Sequence, residues 1–217
     1  MQEKLLFWRN RNNNFKNHYF KKFENRLTDL VKYGQHPKAL FIGCSDSRVI
    51  PNLITQTDPG DLFIIRNVGN FVPPFSPNNS YHAVASAIEY AVEALKVEEI
   101  IVCGHTHCGA INSLYTGLDE KSFVHTKRWL ALGSKAKEMA VSKMKTDEPT
   151  SELLRLTEKY SVITQIENLL TYPTVKEKVE TGEIIIHGWI YDLETGGIEY
   201  FDMESKEFKP FEQNKEQ

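Results

Sequence analysis

Two short clusters in this sequence carry side chains able to hold a borderline-soft metal ion: Cys44-Ser45-Asp46-Ser47-Arg48 and Gly104-His105-Thr106-His107-Cys108-Gly109. Thiolate and imidazole are the ligands zinc prefers, arranged as a tetrahedron. A catalytic zinc takes three protein ligands and keeps its fourth corner open, and Cys44, His105 and Cys108 meet that count. His105 and Cys108 stand three positions apart where an apolar run meets a helix-forming one, so their side chains can converge. Cys44 must arrive from a different strand. A lone His-x-x-Cys is a weak signal; the strand-end Cys-x-Asp-x-Arg is what strengthens it.

The remaining groups divide into helpers and bystanders. Two thiolates cancel the formal charge of a zinc ion, so its water is acidified less than in a site of three imidazoles, and help from a second residue is expected. Asp46 can accept a hydrogen bond from that water, while Arg48 grips the same carboxylate in a fork and keeps it ionised and turned away from the metal. Cys103 ends an apolar run and reads as a small core residue. His107 could replace His105 as ligand, but its direction on the turn favours a surface or supporting role. His18, His36, His82, His125 and His187 have no cysteine close in sequence and read as structural.

These residues need a scaffold that gathers strand ends. After the turn-like Gly34-Gln35-His36-Pro37, the apolar run Ala39 to Gly43 reads as a buried strand, and Cys44 follows at its carboxyl end, where sites form in open α/β sheets. Further strands are expected over Asp61 to Arg66, Glu99 to Cys103, Glu183 to Tyr191 and, after Thr195-Gly196-Gly197, Ile198 to Asp202. Ser80 is expected to cap a helix reaching Leu95, because Val84, Ala87, Ile88, Ala91, Val92 and Leu95 share one face. Ala110 to Tyr115 opens another helix. Ser122 to Leu170 is helical in character, broken near Asp147-Glu148-Pro149 and capped by Thr150 or Ser151. The alternation predicts an α/β fold: a mainly parallel central sheet of about four strands plus an antiparallel edge strand, flanked by helices. The last dozen residues read as a charged, solvated tail.

A chain of 217 residues has room for one sizeable α/β domain, expected over 34–217. Residues 1–33 carry Leu5, Leu6, Phe7, Trp8, Phe15, Tyr19, Phe20 and Phe23 at helical spacings, which predicts an N-terminal helical arm whose aromatics need a surface to cover them. With 41% hydrophobic and 25% charged residues the composition is that of a globular protein. A formal net charge of −3 supplies no basic field for a polyanion, so no nucleic-acid partner is expected. No apolar stretch nears the ~18 residues of a membrane span, and none near the N-terminus resembles a secretory core. Three cysteines, an odd number, argue against a disulfide framework, and the expected location is the cytoplasm.

The two chemical blocks together resemble the signature of the β-carbonic anhydrases, in their plant-like branch. The likeness extends over most of Lys38 to Asp202 and includes Arg66-Asn67-Val68-Gly69-Asn70, Ala87-Ile88-Glu89-Tyr90-Ala91-Val92 and Gly188-Trp189-Ile190-Tyr191-Asp192. The resemblance implies one Zn2+ per subunit on Cys44, His105 and Cys108, with Asp46 and Arg48 as the catalytic pair. It implies reversible hydration of CO2 to bicarbonate and a proton by attack of zinc-bound hydroxide. It further implies that Phe63, Val68 and Tyr90 wall a small dry pocket, where Gln35 and the Gly109 N–H donate to substrate oxygen. Residue type alone would place Phe63, Val68 and Tyr90 in the core.

In that branch the glutamine comes from a neighbouring subunit. The resemblance therefore implies a homodimer at least, or a tetramer, with the arm packing on the partner to bury Trp8, Phe15 and Phe20 at about 25 cal/mol per Å2. Some family members are switched off by bicarbonate held by a tryptophan, an arginine and a tyrosine. Arg66 and Tyr191 match two of those positions, but Phe41 stands at the third without an indole N–H, so no effector site is expected. Ala110 replaces a glycine common after the signature, a small departure.

Three rival chemistries use parts of the same set. Cys44 as a nucleophile with Arg48 cradling phosphate fails on spacing, because the interval here is only four positions and Asp46 would repel the anion. A structural zinc would need a fourth ligand, for which only His107 or Cys103 is near. Hydrolysis of carbonyl sulfide or CS2 on the same fold shares every motif, and only substrate turnover separates it.

Overall fold

Two helices, α1 (Gln2–Asn17) and α2 (Tyr19–Tyr33), form the arm expected from the aromatic spacing. The structure is a computed structural model that describes residues 2–77 and 82–211. No residue of α1 is buried, and Leu5, Phe7 and Trp8 are 70%, 51% and 66% exposed. α2 docks more closely: it buries Phe23, its Leu30 lies where only a glycine fits at Gly60, and Arg26 Nε donates to the Pro59 carbonyl at 2.7 Å. Gly34, at φ +87°, ends α2 and turns the chain into the sheet.

β1 (Ala39–Cys44) is buried at every position, as an unbroken apolar run requires of a strand covered on both faces. The short α3 (Pro51–Ile54) leads to β2 (Leu62–Asn67), and α4 (Ala83–Glu89) continues into a π-helical turn, Tyr90–Ala94. Ser80, the expected cap, lies outside the described residues. β3 (Glu99–His105) runs two residues further than its apolar stretch suggested, so His105 ends the strand itself. Then come α5 (Gly109–Thr116), α6 (Val124–Leu130), α7 (Ser134–Met144) and α8 (Ser151–Leu169). The Thr150 hydroxyl accepts the Leu153 N–H at 3.2 Å, which makes Thr150 rather than Ser151 the cap of α8. α9 (Pro173–Glu180), with proline in its first turn, precedes β4 (Ile185–Tyr191), β5 (Ile198–Asp202) and β6 (Glu207–Pro210).

The strand order is β2-β1-β3-β4-β5-β6. The first four are parallel and the last two antiparallel, so the expected α/β sheet is present with one strand more. The extra strand corrects the solvated tail. Phe208 packs on Phe201 at a ring distance of 5.3 Å and Phe211 edges against Trp189 at 5.4 Å, so this polar segment has its own apolar anchors. Asp202 caps the connecting turn by accepting the N–H groups of Glu204 and Ser205 at 2.8 and 3.2 Å. Residues 212–217 of that tail lie outside the described residues.

One helix matters most to the site. α8 lies against β3 and β4, where Gly104 and Gly188 leave room for Val162 and Ile166; a Cβ on Gly188 would sit 2.8 Å from Ile166 Cδ1 and 2.9 Å from Val162 Cγ1. Gly188→Ala is therefore expected to lower stability by roughly 1–3 kcal/mol through overpacking. Denaturant midpoints measure this, and an unchanged midpoint would show that α8 can slide.

Candidate metal centre

Parallel pairing sets the donors side by side. Gly43 of β1 aligns with Cys103 of β3, so Cys44 and His105 leave neighbouring strands at the same edge, and Cys108 caps the start of α5. The ligand atoms of Cys44, His105 and Cys108 all lie within 4.8 Å of one another, and the residues are only 5%, 1% and 3% exposed. Among the described residues Asp46, Cys103 and His107 are not part of this group.

The group has the features of a cation site. His105 Nδ1 lies 2.8 Å from the Thr106 carbonyl, which can only accept, so Nδ1 carries the proton and Nε2 the lone pair. That Nε2 is buried without a hydrogen-bond partner, a costly arrangement unless something electron-poor faces it. The Cys108 thiol beside it holds Cys44 down to about 4 against the opposing effect of burial. Cys108 is pushed well up by the Cys44 sulfur and by burial. Burial works to lower His105, but the Cys44 sulfur outweighs it and the net direction is upward. Without a cation the pocket tolerates one thiolate and resists the second; a divalent ion removes that repulsion. Two sulfurs and an imidazole suit zinc among the common divalent ions.

Asp46 and Arg48 form the fork expected of them. Asp46 Oδ1 accepts from Arg48 N and Nε at 3.0 and 2.9 Å, and Oδ2 accepts from an Arg48 terminal nitrogen at 2.8 Å. This guanidinium holds Asp46 well below the usual carboxylate range, despite the opposing cost of burial. The same terminal nitrogen also donates to the His107 carbonyl at 3.1 Å. Arg66 braces the strand end, its Nε donating to the Cys44 carbonyl at 2.9 Å and a terminal nitrogen to that of Asp46 at 2.6 Å.

The two bystander cysteine and histidine readings stand. Cys103 is fully buried, donates to the Gly104 carbonyl at 3.4 Å and is pushed up to about 12 by burial, so it remains a thiol. His107 adopts φ +58° and turns its ring outward to Glu194, 3.0 Å away. It supports Arg48 through its carbonyl, not its imidazole.

One buried charged residue beside the donor group escaped the sequence reading. Glu158, on α8, is 3% exposed, and its Oε1 accepts the Cys108 backbone N–H at 3.0 Å. Arg155 spans the carboxylate, a terminal nitrogen donating to Oε1 at 3.0 Å and Nε lying 2.9 Å from Oε2. Burial pushes Glu158 up to about 7, against the pull of the Cys108 N–H and Arg155. A signal was present: Glu158 falls on the same helical face as Val162 and Ile166, and a charge on an apolar face needs a partner.

The pocket residues are more dispersed. Phe63 and Tyr90 come together, their rings 5.8 Å apart, with Tyr90 on the π-helical turn. Tyr90 and Val68 are 51% and 43% exposed, which corrects the reading of residue type alone that would place them in the core. The Val68 carbonyl accepts from Trp129 Nε1 at 2.7 Å, beside a groove of about 720 Å3 whose lining includes Ser45, Asn67, Val68 and Trp129. Gly109 opens α5 with free space where a Cβ would be. Gln35 is exposed in the connection between α2 and β1.

Comparison with known proteins agrees with this geometry. A sequence model described as "Carbonic anhydrase" matches residues 39–198, which contain the metal group and the Asp46–Arg48 pair. A carbonic anhydrase of Synechocystis is 40% identical over 191 residues, covering 87% of this chain and 68% of the relative. Among solved structures, the β-carbonic anhydrase CcaA superposes with a TM-score of 0.87 at 34% identity, over 95% of this chain and 99% of that one. A tetrameric β-carbonic anhydrase of Sordaria macrospora gives a TM-score of 0.77 at 27% identity, over 91% and 96%. The family match over most of the chain, the relative at this identity and the shared fold together establish that the chain belongs to the β-carbonic anhydrase family.

Proposed function

We propose that this enzyme catalyses the reversible hydration of CO2 to bicarbonate and a proton, with one Zn2+ per subunit held by Cys44 Sγ, His105 Nε2 and Cys108 Sγ. The observation that carries the reading is the convergence of three buried donors, one an unpartnered imidazole nitrogen, beside a carboxylate that another side chain holds away. When bound, the metal supplies Lewis acidity that brings the pKa of a coordinated water toward ~7.

The chain's own residues do the rest. Asp46, kept ionised by Arg48, accepts a hydrogen bond from the reacting water and orients its lone pair toward the carbon of CO2. Because both its oxygens are engaged by Arg48, Asp46 stays an acceptor instead of becoming a ligand. Phe63, Val68 and Tyr90 exclude bulk water from the small apolar substrate. The Gly109 N–H and Gln35 of a second copy donate to its oxygens as negative charge develops there. No bicarbonate effector site is proposed: Phe41 is fully buried against Trp189, and Arg66 is committed to two carbonyls.

The assembly proposed is a homodimer or a pair of dimers, in which the arm of residues 1–33 packs on the partner. Covering one aromatic such as Trp8, 66% exposed in the single chain, is worth roughly 2–4 kcal/mol. Trp8→Glu combined with Phe7→Glu is expected to shift the full-length protein toward monomer in light scattering and to lower its turnover. A double variant that keeps wild-type mass and rate would remove the arm from the interface. The three free cysteines fit a reducing compartment, and we place the enzyme in the cytoplasm. Among the described residues no helix is long and apolar enough to cross a membrane.

Stopped-flow assays of the zinc-loaded protein with CO2, carbonyl sulfide and CS2 side by side test the function. Rapid CO2 hydration with slow sulfur-analogue turnover is expected. Preferential hydrolysis of a sulfur analogue would transfer the assignment to that reaction, and one tightly bound zinc with no turnover would make the metal structural.

A further inference from the structure

A buried carboxylate that the proposed chemistry never touches stands behind the metal ligands. Glu158 meets Cys108 through the backbone N–H, at 3.0 Å, and not through the sulfur. That N–H belongs to the residue capping α5, where no intrahelical acceptor exists for it. The preceding residue, His107, is held at φ +58°, a conformation a non-glycine residue adopts at some cost. The turn that delivers the Cys108 sulfur thus holds a left-handed residue, and two side chains grip its backbone: Arg48 at the His107 carbonyl and, from the buried side, Glu158 at the Cys108 N–H.

The anchor is itself tied down. Arg155, one turn earlier on α8, compensates the charge. Val162, one turn later, fits into the space left by Gly104 of β3, the strand that carries His105. A continuous set of contacts therefore runs from the sheet through α8 and Glu158 to the backbone of Cys108, and it relates one metal donor to the strand that carries another.

We propose that Glu158 is a positioning residue for the metal: held by Arg155, it fixes the Cys108 backbone so that the sulfur meets Cys44 Sγ and His105 Nε2 at the spacing a cation requires. The inference rests on the metal reading above. Glu158→Ala leaves the N–H without an acceptor and frees the turn; Glu158→Gln keeps the shape and an acceptor oxygen but loses the ion pair.

Three measurements on the full-length protein test it: zinc affinity by chelator competition, the thiolate-to-cobalt absorption of the Co2+-substituted protein, and melting temperature with and without zinc. Glu158→Ala is expected to weaken zinc binding about 10–100-fold, as loss of a group that orients a ligand does. It should also alter the cobalt band and shrink the rise in melting temperature on zinc loading. Glu158→Gln, which should fold even if the alanine variant does not, is expected to show a smaller loss of affinity in the same direction. Variants that bind zinc like the wild type, and melt lower by equal amounts in both states, would leave Glu158 a purely structural residue and overturn the proposal. Failure of the functional reading looks different: the wild type itself would bind no zinc, or bind it and hydrate no CO2.

Discussion

Cys44→Ser is expected to reduce CO2 hydration to the uncatalysed background while leaving the fold intact. A serine hydroxyl is smaller than a thiol and does not ionise near neutral pH, so the site keeps one sulfur and one imidazole, too few to hold the ion at a catalytic geometry. Losing the metal returns the reacting water from a pKa of ~7 to about 15.7, so its ionised fraction near neutrality falls by many powers of ten. Cys44 lies in a small apolar cluster with Phe71, Cys108, Ala110, Ile111 and Leu130, not in the large cluster between sheet and helices, so stability should suffer modestly. Metal content and stopped-flow rates measure the loss together. A Cys44→Ser protein that retains full activity would sink the ligand assignment, and Cys103→Ser, which leaves the donor set complete, is the control expected to keep its zinc.

Asp46→Asn is expected to lower kcat by about 10²–10⁴-fold, the range for removing a group that handles a proton in the transition state. Its zinc content should be unchanged, because Asp46 is not part of the donor group. Arg48→Ala separates charge from placement. Asp46 is held below its usual 3.8 by Arg48, so the pair's stabilising effect is present above that pH and is lost as pH falls further. Removing Arg48 lets the carboxylate rise toward 3.8, where it is still ionised at neutral pH, so any loss of rate there comes from misplacement. The expected result is a lower kcat with an unmoved profile above about pH 5. An alkaline shift of the acid limb into the neutral range would show that Arg48 acts chiefly by tuning the carboxylate.

The chemistry was more legible in the chain than the architecture around it. Ligand types and spacing picked out Cys44, His105 and Cys108 as candidates because zinc chemistry restricts donors to a few side chains, and four parallel strands followed from short apolar runs, two of which, β1 and β3, lead into Cys44 and His105. β6 was hidden because its evidence is two phenylalanines in a polar segment, Phe208 and Phe211, whose partners Phe201 and Trp189 come from other strands. The exposure of Val68 and Tyr90 was hidden for the same reason: residue type says what a side chain prefers, and the π-helical turn and the loop after β2 decide what it faces.

The sequence by itself determined the candidate donor set, the α/β alternation and the aspartate–arginine pair, since each is a local matter of residue type and interval. Only the tertiary structure decided which histidine nitrogen is free, because the Thr106 carbonyl accepts the N–H of the other, and that Asp46 faces Arg48 instead of joining the cluster. It alone decided that Glu158, 50 residues along the chain from Cys108, accepts the backbone N–H of Cys108. Such contacts depend on how α8 crosses the sheet over Gly104 and Gly188, a geometry set by packing between distant segments that no local pattern encodes.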